Sequence, residues 1–243
     1  MKEELIRLKS IIENSDNIVF FGGAGVSTES GIPDFRSADG IYNMKYKYSP
    51  EQIVSHSFFM SNTDEFYEFY REKMLHPDAM PNKAHYALAE LEKQGKLRAI
   101  VTQNVDGLHH KAGSINVLEL HGSRSRYYCM ECGRNYPIDV VLEAVNTPKC
   151  AVCGGVIRPD VVLFEESLDQ SVIDKSVDAI SGAEVLIVGG TSLNVYPAAG
   201  LIRFYRGDKL VLINKSVTPF DGSASLVIRD AIGETLGAVV GSM

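Results

Sequence analysis

The chain has 243 residues, 45% of them hydrophobic, which is enough to bury a core in one large domain or in a domain with a smaller insertion. Its 24 Lys and Arg stand against 31 Asp and Glu, and the formal charge of −7 argues against a global affinity for nucleic acid. No apolar run reaches the roughly 18 residues of a membrane span, and Met1–Ser10 reads as an amphipathic first helix with no signal-peptide core, so a cytoplasmic location is expected.

In chain order, an apolar strand is expected over Asn17–Phe21, followed by the small-residue run Gly22-Gly23-Ala24-Gly25-Val26-Ser27. Such a run lets a backbone approach a phosphate closely, with a following helix N-terminus as donor. Thr28 stands where a dinucleotide fingerprint has its third glycine, so a tight strand-to-helix turn is the competing reading. The segment runs on through Asp34, Phe35 and Arg36, where Arg36 offers a planar fork to a pyrophosphate and Phe35 a cover for an aromatic base. Asp39–Pro81 is rich in Tyr, Phe, Met and Ser and interrupts the pattern. A helix follows over Lys83–Lys93, stopped by Gly95, and a strand over Leu97–Thr102.

Gln103-Asn104-Val105-Asp106-Gly107-Leu108-His109 lies at that strand's carboxyl end, where α/β sheets bind ligands. An Asx-type turn capping a helix is the alternative. The next strand, Val117–Leu120, ends on His121-Gly122. Of six histidines, His121 combines a strand end with a neighbouring glycine, and a histidine titrates near ~6.5, in range for a base at neutral pH.

Cys129-x-x-Cys132 and Cys150-x-x-Cys153, with 17 residues between the pairs, form the strongest local signal. Two chelating knuckles supply four thiolates, closing a tetrahedral zinc site with no open position, so the metal should be structural. The arginines and lysine around them, Arg124, Arg126, Arg134, Lys149 and Arg158, are nearly balanced by acids, which disfavours a zinc-ribbon nucleic-acid module. Strands are then expected over Val161–Phe164, Glu184–Val188, Lys209–Ile213 and Leu226–Ile228, with a helix over Leu168–Ile180. Gly189-Gly190-Thr191-Ser192-Leu193 and Ile213-Asn214-Lys215 are two more strand ends suited to a nucleotide, or to an ordinary turn. The alternation of apolar strands with helices predicts a parallel α/β sheet, with a smaller unit inserted into it.

Together these motifs resemble the sirtuin family, and the run from Arg158 to Phe164 is similar to its compact bacterial members. The resemblance implies a Rossmann-like NAD-binding domain over residues 1–38, 83–126 and 156–243, with a helical module (39–82) and a zinc ribbon (127–155) as the small domain. It implies NAD contacts from Gly23, Ala24, Gly25, Thr28, Asp34, Phe35, Arg36, Gln103, Asn104, Val105, Asp106 and His121. Gly190, Thr191, Ser192, Asn214, Lys215 and Ala231 would hold the adenosine side.

Val162, Phe164, Leu193, Asn194 and Val195 would clamp an extended acetyl-lysine segment of a protein substrate. The implied activity is NAD-dependent lysine deacetylation. The acyl oxygen displaces nicotinamide, Asn104 positions the ribose and water, and His121 takes a ribose proton. Lysine, nicotinamide and O-acetyl-ADP-ribose leave. Mono-ADP-ribosyl transfer would use the same activation.

Two departures stand out. Glu165 replaces the usual glycine after Phe164, and would lie near the peptide channel and favour basic flanking residues. Tyr67 is followed three places on by Tyr70, with Arg71 one further, where desuccinylating members have Tyr-x-x-Arg. That offset is about 100° on a helix, so a neutral acyl group, acetyl first, is expected.

Overall fold

The computed structural model describes residues 2–34, 40 and 47–241. Helix α1 (Glu3–Glu13) leads into strand β1 (Ile18–Gly22). Short helices α2 (Pro50–Ile53), α3 (His56–Ser61) and α4 (Thr63–Phe69) follow, and α4 continues into a π-helical turn at Tyr70–Met74. Next come α5 (Lys83–Lys93), β2 (Leu97–Thr102), α6 (Leu108–Lys111) and β3 (Val117–Glu119). The middle of the chain holds β4 (Gly122–Cys129), β5 (Asn135–Tyr136), α7 (Asp139–Leu142) and β6 (Ile157–Val161). It closes with α8 (Gln170–Gly182), β7 (Val185–Gly189), β8 (Lys209–Ile213), β9 (Leu226–Ile228) and α9 (Ile232–Val240).

Six strands form one parallel sheet in the order β3-β2-β1-β7-β8-β9. Successive side chains of a strand point to opposite faces. Ile18 and Phe20 therefore pack with Leu8, Leu88 and Leu236 of α1, α5 and α9. Val19 and Phe21 pack with Ile180 of α8 and with Ala198, Leu201 and Ile202 on the other face. Both faces are covered, which is why the strands are apolar throughout. The strand order reverses between β1 and β7, and a crevice opens there at the carboxyl ends.

Helix α5 occupies its expected bounds. Asn82 accepts from the Ala84 amide at 2.9 Å, and His85 Nδ1 accepts from the Asn82 amide at 3.2 Å, a reciprocal cap. The second expected helix starts at Gln170, because the Asp169 carboxylate caps the amides of Ser171 and Val172.

A second, antiparallel sheet has the order β5-β4-β6. It shares a core with the short helices, where Phe58, Phe59, Phe66, Tyr67 and Tyr70 meet Tyr127, Ile157 and Leu163. The strand expected over Val161–Phe164 is different here: the regular strand is β6, ending at Val161. Beyond it Glu166 Oε2 accepts from the Leu163 amide at 2.8 Å and Glu165 takes φ 75°, which turns the chain. Phe164 then pairs with Ser55. Among the described residues no helix is long and apolar enough to cross a membrane.

Candidate active site and metal centre

The strand ends converge on one cavity of about 710 Å³, within the range of about 300–1,000 Å³ usual for small-molecule sites. After β1 the backbone forms two short 3-10 turns, Ala24–Val26 and Thr28–Ser30, in place of the expected α-helix start. The loop lies backbone to backbone against the end of β7: the Gly25 amide donates to Gly190 O at 2.8 Å. A Cβ on Gly25 would stand 2.8 Å from Gly190 Cα, and Gly190 itself has φ 59°. Both positions thus require glycine. Thr28 Oγ1 donates to Gly25 O, and Asn82 Nδ2 donates to Val26 O and Ser30 Oγ, fixing the loop from α5.

Gln103 Nε2 donates to Thr191 Oγ1 at 3.1 Å, tying the loop after β2 to the loop after β7. Ser27 Oγ sits between two candidate residues. It accepts from Asn104 Nδ2 at 3.1 Å and donates to Asp106 Oδ2 at 2.6 Å. Asp106 Oδ1 also accepts from the Leu108 amide at 2.9 Å, so the helix-capping alternative is present beside the site. Ser27, 1% exposed, is a site residue that the sequence does not mark: within the run from Gly22 to Ser27 a small polar residue carries no signal of its own.

His121 Nδ1 lies 2.9 Å from Gln103 O. A carbonyl can only accept, so Nδ1 carries the proton and Nε2 is left as the acceptor. Burial lowers the pKa of this ring below the ordinary 6.5, against the hydrogen bond to Gln103, which raises it. The imidazole is therefore neutral at neutral pH, the state a base needs.

Gly23, Ala24, Gly25, Thr28, Asp34, Gln103, Asn104, Val105, Asp106 and His121 all line the cavity, as do Gly190, Thr191, Ser192, Asn214, Lys215 and Ala231. Val162, Phe164 and Val195 line it too; Leu193 is buried in the core and Asn194 stands outside the lining. Phe35 and Arg36 lie outside the described residues. The backbone of Phe164 is already paired, its amide to Val54 O and its carbonyl to the His56 amide. Its side chain, 42% exposed, is what it offers to a ligand. Glu165 lines the cavity, and its carboxylate accepts from the Ser57 amide at 2.9 Å and Ser57 Oγ at 3.0 Å. Arg71 donates to the carbonyls of Val145 and Asn146, toward the loop before Cys150.

The four cysteine sulfurs lie within 4.8 Å of one another. Cys129 and Cys153 sulfurs are 3.4 Å apart, and those of Cys132 and Cys150 are 3.6 Å apart. Tetrahedral zinc with bonds of about 2.3 Å sets its sulfurs about 3.8 Å apart, so this donor set fits zinc. Gly133 and Gly154, with φ 70° and 75°, turn the chain after each pair. Tyr136 Oη donates to Cys150 Sγ at 3.0 Å, support of the kind that orients a metal ligand. None of the four lines the cavity, which fits a structural role.

A family model described as Sir2 family matches residues 23–197. An NAD-dependent protein deacetylase of Clostridium perfringens is 60% identical over 99% of this chain and 100% of its own length. One of Clostridium acetobutylicum is 59% identical over 98% of each. A solved Sir2 structure with a deacetylated p53 peptide and 3′-O-acetyl ADP-ribose is 40% identical, with a TM-score of 0.90, covering 100% of this chain and 98% of that one.

Proposed function

The chain belongs to the Sir2 family, and from that premise we propose that it is an NAD-dependent protein lysine deacetylase of the cytoplasm. It moves the acetyl group of acetyl-lysine to ADP-ribose with release of nicotinamide. The observation that carries the reading is His121: a neutral imidazole lining the cavity, its Nδ1 anchored on Gln103 O and its Nε2 free to accept a proton. NAD, when bound, supplies the glycosidic bond whose cleavage drives the transfer.

The chain's own residues hold, orient and shuttle protons. Gly23, Ala24, Gly25 and Thr28 line the phosphate side, and Gly190, Thr191, Ser192, Asn214, Lys215 and Ala231 the adenosine side. Phe35 and Arg36 are assigned there from the sequence. One Ser27 hydroxyl holds both Asn104 and Asp106 in place; with NAD bound, Asn104 would serve the ribose and Asp106 the carboxamide. Fixed dipoles of this kind are preorganised for charge that develops during reaction. His121 Nε2 then takes the ribose hydroxyl proton, a role worth roughly 10²–10⁴ in rate.

The acetylated segment docks across Val162, Phe164 and Val195, with Leu193 and Asn194 shaping the loop behind. We assign residues 1–38, 83–126 and 156–243 to NAD binding and 39–82 and 127–155 to the small domain, which holds structural zinc. Direct nucleic-acid binding is disfavoured: two of the cations near the ribbon, Arg124 and Arg158, are 7% and 8% exposed. The test is NAD labelled in the adenine ring, incubated with an acetylated protein. Label in a small O-acetyl-ADP-ribose product supports deacetylation; label retained on protein would support mono-ADP-ribosyl transfer instead.

A further inference from the structure

Arg124 has no part in this scheme, yet it lines the same cavity as His121 and is 7% exposed. It comes from β4, where the pairing with β6 loses register between Ser123 and Tyr127 and the alternation of faces breaks. Its Nη1 donates to the Met74 carbonyl at 2.6 Å. Among the described residues no carboxylate lies within ion-pair distance of it. Asp106, which attracts it from within the cavity, has its oxygens engaged by Ser27 and Leu108. Beside Arg124 stands Tyr70, 3% exposed, its hydroxyl 3.4 Å from that of Tyr127. Phe66 and Met74 give the same part of the cavity apolar walls.

A buried guanidinium is stable only when paired, and its fork matches a carboxylate. Arg71 is spent on the carbonyls of Val145 and Asn146. Of the cavity's cations, Lys73 and Lys215 reach solvent, and Arg124, from a different element, is the buried one. We infer that Arg124, with Tyr70 as a hydroxyl donor, receives the free carboxylate of a short dicarboxylic acyl group, so that succinyl- and glutaryl-lysine are substrates beside acetyl-lysine.

The inference rests on the deacetylase reading of the same cavity and uses the same reaction. The amide C–N bond of the acyl-lysine and the nicotinamide glycosidic bond break. An ester bond from the acyl carbon to ribose forms, one water is consumed, and lysine leaves as its ammonium. No further oxidant or reductant enters, and the distal carboxylate is unchanged.

The test compares three peptides of one sequence, carrying acetyl-lysine, succinyl-lysine, and the succinyl analogue ending in a carboxamide. Carboxylate and carboxamide have nearly the same size, so their ratio reads charge. With wild-type protein and NAD, the succinyl peptide should exceed its carboxamide analogue in kcat/KM by roughly thirtyfold or more, the scale for a desolvated charge pair. Arg124→Met should bring that ratio close to one, and Arg124→Lys should keep part of it. Equal turnover of the two in wild type, or an undiminished ratio in a folded Arg124→Met, would overturn the inference. Should Arg124→Met fail to fold, the wild-type comparison decides alone. Turnover of the acetyl peptide only would overturn this inference and leave deacetylation standing; turnover of none would remove both.

Discussion

Two buried histidines, His85 of α5 and His109 of α6, make the fold acid-labile. His109 is 2% exposed, its ring lies 4.8 Å from that of His85, and neither of its nitrogens has a partner among the described residues. Burial, with His85 and His110 nearby, pushes its pKa down to about 3. Burial pushes His85 down to about 4, against the attraction of Asp106. In the unfolded chain both titrate near 6.5. The unfolded state therefore binds protons that the folded state refuses. Stability is full above about pH 6.5 and falls as pH drops toward the folded values.

Between pH 6.5 and 5 that is 1.5 pH units at about 1.36 kcal/mol each, or about 2 kcal/mol for one such histidine. Against a typical total of about 5–15 kcal/mol, the loss is large. His109→Leu removes one such group at similar volume. Urea denaturation followed by circular dichroism at pH 7.5 and 5.0 should show the variant losing about 2 kcal/mol less than the wild type. Equal losses in the two proteins, or a wild type as stable at pH 5.0 as at 7.5, would refute the reasoning.

Chelating the metal at the four cysteines should unfold the small sheet, since structural zinc energy is folding energy. The near-ultraviolet dichroism of Tyr127 and Tyr136 should then fall together with zinc release; an intact tyrosine signal with lost turnover would point to a catalytic metal. Glu165, exposed and bonded to Ser57, should favour an arginine beside the acetyl-lysine by roughly two- to fivefold in KM at low salt. That preference should vanish in Glu165→Gln, and its persistence there would place its source elsewhere. Burial holds the His121 pKa below 6.5, so the acid limb of kcat/KM should lie below that value. A limb above 6.5 would contradict His121 as the neutral base.

The parallel sheet was legible because buried strands need apolar, β-branched runs and short loops, and Leu97–Thr102, Lys209–Ile213 and Leu226–Ile228 keep their expected bounds. The metal site was legible because chelation demands local spacing. Less visible were features set by tertiary pairing. β4 carries Ser123-Arg124-Ser125-Arg126, and only its broken register against β6 turns Arg124 inward. Helix α9 contains Gly233 and Gly237, poor helix formers, yet Glu29 caps the Gly233 amide from 204 residues away. The bend after Val161 depends on Glu166, which accepts from Leu163 and binds Arg158 through both oxygens. Ser27, after β1, bonds both Asn104 and Asp106 in the loop after β2, a relation between distant segments that no local pattern carries.

The central claim is that His121 serves as base in an NAD-consuming deacetylation. It is tested most directly by mass spectrometry of an acetyl-lysine peptide incubated with NAD and either wild-type protein or His121→Ala. Wild type should yield deacetylated peptide, nicotinamide and O-acetyl-ADP-ribose in equal amounts, and the variant should be slower by roughly 10²–10⁴. Deacetylation without NAD, or full activity in the variant, would contradict the account.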